Sequence, residues 1–274
     1  MMVGALVYFF VPALVGVLIG IASGLLGIGG GTVMVPIFRL AFGMSATMST
    51  ATSLFAIIPT SISGAISHVK GKTCIPALGI AAGLGGACLS PVGVWLAQLS
   101  PDWLVMLAAA LIIGYSAISM FKKAFKIPRA DQPAAEADAA APTADDSSLS
   151  RKQLLQGAVI GLVAGLASGY VGVGGGFIMV PLMLSIIGIP MRKASGTSLI
   201  AVMILAIPGV IEQGIIGNIN YLAGIAIVIG TIPGAVIGAR LVTKVPERTL
   251  RLLFGCFLIV AAVMLVLNEV GIFG

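Results

Sequence analysis

Two runs of glycine carry the clearest chemical signal in this chain. Gly27-Ile28-Gly29-Gly30-Gly31 and Gly172-Val173-Gly174-Gly175-Gly176 each follow an apolar stretch and lead into a shorter one containing Pro36 or Pro181. Glycine favours irregular backbone, so each run should break a helix. Such a break exposes N–H donors where the next helix starts, and the helix dipole there favours negative charge. The chemistry on offer is capture of a small oxyanion by backbone groups: Gly29, Gly30 and Gly31 from one run, Gly174, Gly175 and Gly176 from the other.

Hydroxyls stand close by in sequence. Thr52-Ser53 and Thr197-Ser198 open the following apolar segments, with Ser49, Thr50 and Ser195 beside them. They supply donors without a buried charge, although mid-helix hydroxyls also bond their own backbone, and both roles stay open. Arg39 either attracts the anion or snorkels to an interface. His68 and Glu212 fall one position apart in the alignment described below, each near the end of an apolar segment; each is either a proton relay or a solvated group at a loop edge. Asp102 and Glu247 follow Pro101 and Pro246 and read as ordinary helix-start residues.

The elements that must position these groups are set by the solvent. Apolar residues make up 59% and charged residues 9% of 274, too little polar surface for a water-soluble body. Mean hydropathy is +1.16, and several apolar runs reach the roughly 20 residues a helix needs to cross a bilayer. The net charge of +6 comes from short loops with little aromatic interleaving, which points to membrane topology and away from nucleic acid. Cys74, Cys88 and Cys256 form no pair motif and read as packing residues. The apolar N-terminus reads as a retained first helix.

The chain repeats itself. At a constant spacing of 145 residues, Ala22-Ser23-Gly24 matches Ala167-Ser168-Gly169, the glycine runs match each other, and Thr52-Ser53-Leu54 matches Thr197-Ser198-Leu199. Gly79, Gly85, Gly93 and Pro101 likewise recur as Gly224, Gly230, Gly238 and Pro246. Residues 1–121 and 153–274 are therefore expected as two membrane repeats. Residues 122–152, rich in Ala, Pro and acids between basic ends, are expected as a disordered cytoplasmic linker.

Each half divides into five apolar segments, at 7–28, 31–43, 46–67, 74–98 and 102–121, then at 154–173, 176–189, 194–213, 221–240 and 247–268. The second of each is about 12 residues, or roughly 18 Å, too short to cross alone and open to a re-entrant path. An odd count makes consecutive copies enter from opposite sides. With the N-terminus outside, Lys70, Lys72, the linker cations, Arg192, Lys193, Arg240, Lys244, Arg248 and Arg251 share the cytoplasmic face, and Arg39 alone falls elsewhere. The fold class expected is an all-α integral membrane protein of two inverted-topology repeats, a build that places substrate near the midplane. Glycines spaced by four, such as Gly16, Gly20 and Gly24 or Gly157, Gly161, Gly165 and Gly169, read as helix-packing positions. A dinucleotide-binding reading fails, because no strand precedes either glycine run.

The doubled motif from Gly27 to Pro36 and from Gly172 to Pro181, each followed by Thr-Ser-Leu, resembles the TauE/SafE sulfite exporter family, also called the toluene sulfonate uptake permease family. The resemblance covers nearly the whole chain outside the linker. It implies a multi-pass plasma-membrane permease for small sulfur-containing anions such as sulfite or organosulfonates, coupled to a proton or sodium gradient, with no cofactor. A passive anion channel of the same architecture is the alternative. An enzyme is disfavoured, since one histidine and no clustered cysteines or paired carboxylates leave little catalytic or metal-binding machinery. The expected partners are the anion, its coupling ion and the bilayer, with a homodimer left open.

Overall fold

A computed structural model describes residues 2–125 and 150–269, with side chains described for 12–125 and 150–267. Helices α1 (Met2–Leu26), α2 (Gly31–Phe42), α3 (Ala46–Lys70), α4 (Pro76–Leu99) and α5 (Asp102–Phe125) form the first half. Helices α6 (Arg151–Val171), α7 (Gly176–Leu182), α8 (Met191–Ile216), α9 (Tyr221–Leu241) and α10 (Glu247–Glu269) form the second, with a π-helical turn, Met183–Ile187, continuing α7. No strand occurs among the described residues. Seven of these helices are long and apolar enough to cross a membrane, and α1 has 25 residues. The α2 and α7–π elements, at 12 residues each, do not reach that length.

Local chemistry sets the boundaries. Ser45 accepts from Met48 N at 3.2 Å to start α3, and Asn220 accepts from Ala223 N at 3.1 Å to start α9. Pro76 opens α4, where its missing N–H costs nothing. Ser150 and Gln153 form a reciprocal capping box on α6. Helices thus extend into both ends of the expected 122–152 linker, as α5 continues through Lys122 and Lys123 and α6 begins at Arg151; residues 126–149 lie outside the described residues.

Packing interleaves the halves. α1 lies along α9, and α4 lies along α6. α3 packs on α9 as α8 packs on α4, and α2 touches α10 as α7 touches α5. The two long seams are lined by the glycines spaced by four. A Cβ on Gly20 would sit 2.8 Å from Thr231 Cα, and one on Gly234 would sit 3.0 Å from Gly20 Cα. On the other seam, a Cβ on Gly165 would sit 2.5 Å from Gly86 Cα. Backbones meeting this closely gain dispersion contact along their whole length, which drives association where lipid removes the hydrophobic incentive. The expected packing role of these glycines is what the structure shows.

Outward faces are apolar: Leu18, Leu111 and Ile215 are 67%, 65% and 82% exposed on a helical body whose solvent is lipid. Two cysteines depart from the packing role expected for them. Cys88 and Cys256 are exposed, and Cys74 is partly buried. Their apolar neighbours in sequence face lipid as well as protein, and composition does not separate those environments.

Candidate functional site

The glycine runs form the two breaks in the fold. α1 ends at Leu26, Gly27 turns with φ 76°, and Gly30 caps the start of α2 with φ 84°. The second half repeats this at Gly172, φ 73°, and at Gly175, φ 65°, which caps α7. A side chain at such φ values would be strained, which is why these turns are written in glycine.

The two turns touch each other. A Cβ on Gly31 would lie 2.5 Å from Val173 O, and a Cβ on Gly176 would lie 3.0 Å from Ile28 Cα. Each turn also lies against the third helix of the opposite half. Gly27 abuts Ser195 of α8, whose carbonyl a Cβ would approach to 2.5 Å, and Gly172 abuts Thr50 of α3, whose Cα would be 2.6 Å away. Ser195 and Thr50 are themselves repeat mates. Ile57 sits between the turns, near both Gly31 and Gly174, and its repeat mate Val202 reaches Gly29.

Backbone donors are left over at this crossing. Gly27 N and Gly172 N return to Ser23 O and Ser168 O at 2.8 and 2.7 Å. Gly176 N bonds Gly174 O at 2.7 Å, and Val33 N and Ile178 N close the first turns of α2 and α7. The amides of Gly29, Gly30, Gly31 and Thr32, and those of Gly174, Gly175 and Phe177, have no backbone acceptor among the described residues. All seven residues are buried. Gly31, Thr32 and Phe177 are first-turn residues of their helices, whose N–H groups have no intrahelical acceptor, and the glycine turns add Gly29, Gly30, Gly174 and Gly175 to that set of donors.

The hydroxyls divide into two groups. Thr52 and Thr197 accept from Asn220 N at 3.0 Å and Ile75 N at 2.9 Å, the residues just before α9 and α4. Each therefore anchors a helix start of the opposite half. Ser198 donates to Gly27 O at 2.7 Å, with Ser195 O also in reach at 2.8 Å. Ser53 Oγ, by contrast, is buried without a partner. So are the hydroxyls of Ser23, Thr32, Ser49, Ser61 and Ser168. Ser23 lies beside Gly30 and Ser61 beside Gly29, at 3.6 and 3.5 Å from where a Cβ would stand. Ser23, Ser168, Thr32 and Ser61 were not singled out by the sequence. The first two sit inside the repeated Ala-Ser-Gly block, a signal that could have found them.

The proposed charged groups lie elsewhere. Arg39 is in the last turn of α2, eight residues from Gly31, so roughly 12 Å along the axis from the crossing. His68 is fully buried, not at a solvated loop edge. Its Nε2 bonds Gly24 O at 2.8 Å and its Nδ1 bonds Thr73 Oγ1 at 2.7 Å, because α3 runs three residues past the end expected for it and carries the ring beneath α1. A carbonyl only accepts, so Nε2 carries a proton. The residue in the matching place is Gln213, not Glu212. Gln213 is 1% exposed and accepts from Asn218 Nδ2 at 2.8 Å, and Asn218 is the repeat mate of Thr73. Glu212 is half-buried, and its Oε2 has no hydrogen-bond partner. Asp102 accepts from Thr47 Oγ1 at 3.4 Å and Glu247 from Met191 N at 3.3 Å, so both tie fifth helices to the starts of third helices. No cluster of potential metal ligands occurs among the described residues.

The comparisons with known proteins agree with this architecture. The pattern of the family described as Sulfite exporter TauE/SafE matches residues 12–265. A probable membrane transporter protein of Bacillus subtilis (strain 168), YunE, is 27% identical over 97% of this chain and 99% of its own length. A probable membrane transporter protein of Haemophilus influenzae (strain ATCC 51907 / DSM 11121 / KW20 / Rd) is 29% identical over 93% of this chain and 97% of its own. No solved structure matches. With apolar helices long enough to span, two interlocked glycine turns, and a family match over nearly its full length, the chain is a multi-pass membrane transporter and belongs to the TauE/SafE sulfite exporter family.

Proposed function

We propose that the protein is a secondary transporter for a small sulfur-containing anion, such as sulfite or an organosulfonate, moved across the plasma membrane with an ion gradient. The observation that carries the reading is the set of acceptorless amides at the crossed turns, Gly29 to Thr32 and Gly174, Gly175 and Phe177. Their donors, and the unpartnered hydroxyls of Ser23 and Ser61 beside Gly30 and Gly29, suit an acceptor-only ligand. A cation would find no carboxylate in this set. Binding by dipoles spares the protein the cost of burying a full positive charge when the site is empty.

The two halves are inverted in this reading. Each contributes five helical elements, and the reading takes the short second one as completing a passage with its neighbours, so that an odd number of passages brings the second half in from the far side of the membrane. Partner exchange between halves, α1 with α9 and α6 with α4, fits a twofold relation between them, and the reading lays that axis in the membrane plane. The basic loops then share the cytoplasmic face. His68 serves as the coupling group. Its Nδ1 accepts from the Thr73 hydroxyl when neutral and donates to it when charged, and the hydroxyl hydrogen then turns to His68 O, 3.3 Å away.

Flux into proteoliposomes tests this. Sulfite or sulfonate uptake should be driven by an imposed proton or sodium gradient and saturate with substrate. Fast movement that ignores both gradients would replace the transporter with a passive channel of the same architecture.

A further inference from the structure

The groove between α3 and α9 opens to the surrounding lipid and holds a cavity of about 830 Å³. Its walls are Ile62 and Ile66 from α3 and Ile232 and Val236 from α9, and its mouth carries Lys70 and Arg240. Both cations stand in the last turns of their helices and are exposed, and neither has an ion-pair partner among the described residues. No acidic residue lines the cavity. The two helices are tied together by Thr60 bonded to Thr231 at 2.6 Å and by Ser63 donating to Ile232 O at 2.8 Å.

We infer that this groove binds an anionic phospholipid, with the phosphate between Lys70 and Arg240 and an acyl chain laid along the isoleucines. A phospholipid matches both halves of the groove, an apolar trough within the bilayer and two unpaired cations at the headgroup level. A small free anion would satisfy only the mouth. A second apolar cavity, of about 540 Å³, flanks the other side of α3, sharing Ile62, Ile66 and Lys70 and adding Ile80 and Ile204, so one headgroup at Lys70 has room for a chain on each side of that helix.

The repeat supplies an internal control. At a spacing of 145 residues the counterparts of Lys70 and Arg240 are Ile215 and Trp95, exposed at 82% and 56%. The fold does not require cations at these positions; only the groove on the basic face has them. Because α3 belongs to the first half and α9 to the second, a lipid held there clips the two halves together at one face.

Native mass spectrometry of the full chain, purified in detergent and offered equal amounts of phosphatidylglycerol and phosphatidylcholine, tests the site without reference to the transported substrate. Wild type should retain phosphatidylglycerol in preference, with about a fivefold loss of preference for K70Q or R240Q and none remaining in the double variant. Val236→Phe, which fills the trough and leaves both cations, should lower retention of phosphatidylglycerol as well. Equal retention of the two lipids by wild type, or a preference unchanged in K70Q/R240Q, overturns the inference. So does displacement of phosphatidylglycerol by millimolar inorganic phosphate or sulfite, which would give the mouth to a free anion.

Discussion

The two glycine turns share a backbone but differ in what surrounds it. Gly27, Gly29 and Gly30 and their mates Gly172, Gly174 and Gly175 all have positive φ, and each turn lies against the other. Around the first turn, however, stand Thr32 and Ser61, where the second has Phe177 and Ala206. Arg39 on α2 is matched by Leu184, and the regular end of α2 by a π-helical turn on the second side. Duplication has kept the amide donors, which depend on backbone shape alone, and let the side chains diverge. The first turn is the more polar of the two, and the second is the more apolar.

The contact between the turns should be the most sensitive point. Gly31→Ala and Gly176→Ala each drive a methyl group into the opposite turn's backbone, which cannot swing aside. Flux per inserted protein should fall to background for both, with a loss of about 1–3 kcal/mol in stability. Normal transport by either variant would remove the crossing from the mechanism.

The divergence between the turns predicts opposite outcomes for Phe177 and Thr32. Phe177→Ala should cost about 3–5 kcal/mol on thermal unfolding in detergent, because a fully buried ring leaves a cavity. Thr32→Val replaces an unpartnered buried hydroxyl by a methyl of similar shape, so stability should hold or rise while flux drops. Unimpaired flux in Thr32→Val would mean that the first turn's side chains do not meet the anion.

Lys123 sharpens the comparison at the far ends of the short helices. Its ammonium donates to Pro181 O at 2.6 Å and to Ser185 Oγ, fastening the π-helical end of α7, and Arg251 bonds the Lys123 carbonyl at 3.5 Å. Lys123→Met should cost about 1.5–3 kcal/mol and speed hydrogen exchange in Met183–Ile187 more than in α2. Equal acceleration in α2 would show that the ends are not separately held.

A small effect on stability is also expected for His68→Gln, which gives the first half the residue of the second. Glutamine offers one donor and one acceptor group, so both hydrogen bonds can be kept and the change should stay within about 1 kcal/mol. Proton-driven flux should disappear while substrate exchange without a gradient persists. Undiminished proton drive would discharge His68 from coupling.

Much of the fold was legible in the sequence because the repeat and the apolar runs are both one-dimensional signals. Ten segments are expected, and the ten helical elements of the described residues begin within five residues of the expected starts, from α1 at Met2 to α10 at Glu247. The short α2 and α7 were visible because glycine and proline punctuate them on both sides. Ends were less visible: α5 and α6 run into the basic edges of the linker, since lysine and arginine are good helix formers as well as loop residues.

The site was half legible. The glycines announced themselves by type, spacing and recurrence. Sequence leaves His68 open between a relay and a solvated edge, because an alignment shows position along the chain but not that α1 covers that end of α3. For the same reason ionisable type points to Glu212, while the helix turns its neighbour Gln213 inward.

By itself, then, the sequence determined the solvent, the duplication, the apolar segments that become the described helices and the places where the backbone must break, because each follows from residue types counted along one dimension. Only the tertiary structure decided which broken ends meet, which hydroxyls are consumed by the neighbouring half's helix starts and which amides and hydroxyls remain unpaired. Those outcomes depend on contacts between residues some 145 positions apart, such as Gly31 with Val173 and Thr52 with Asn220, and no local pattern encodes such a contact.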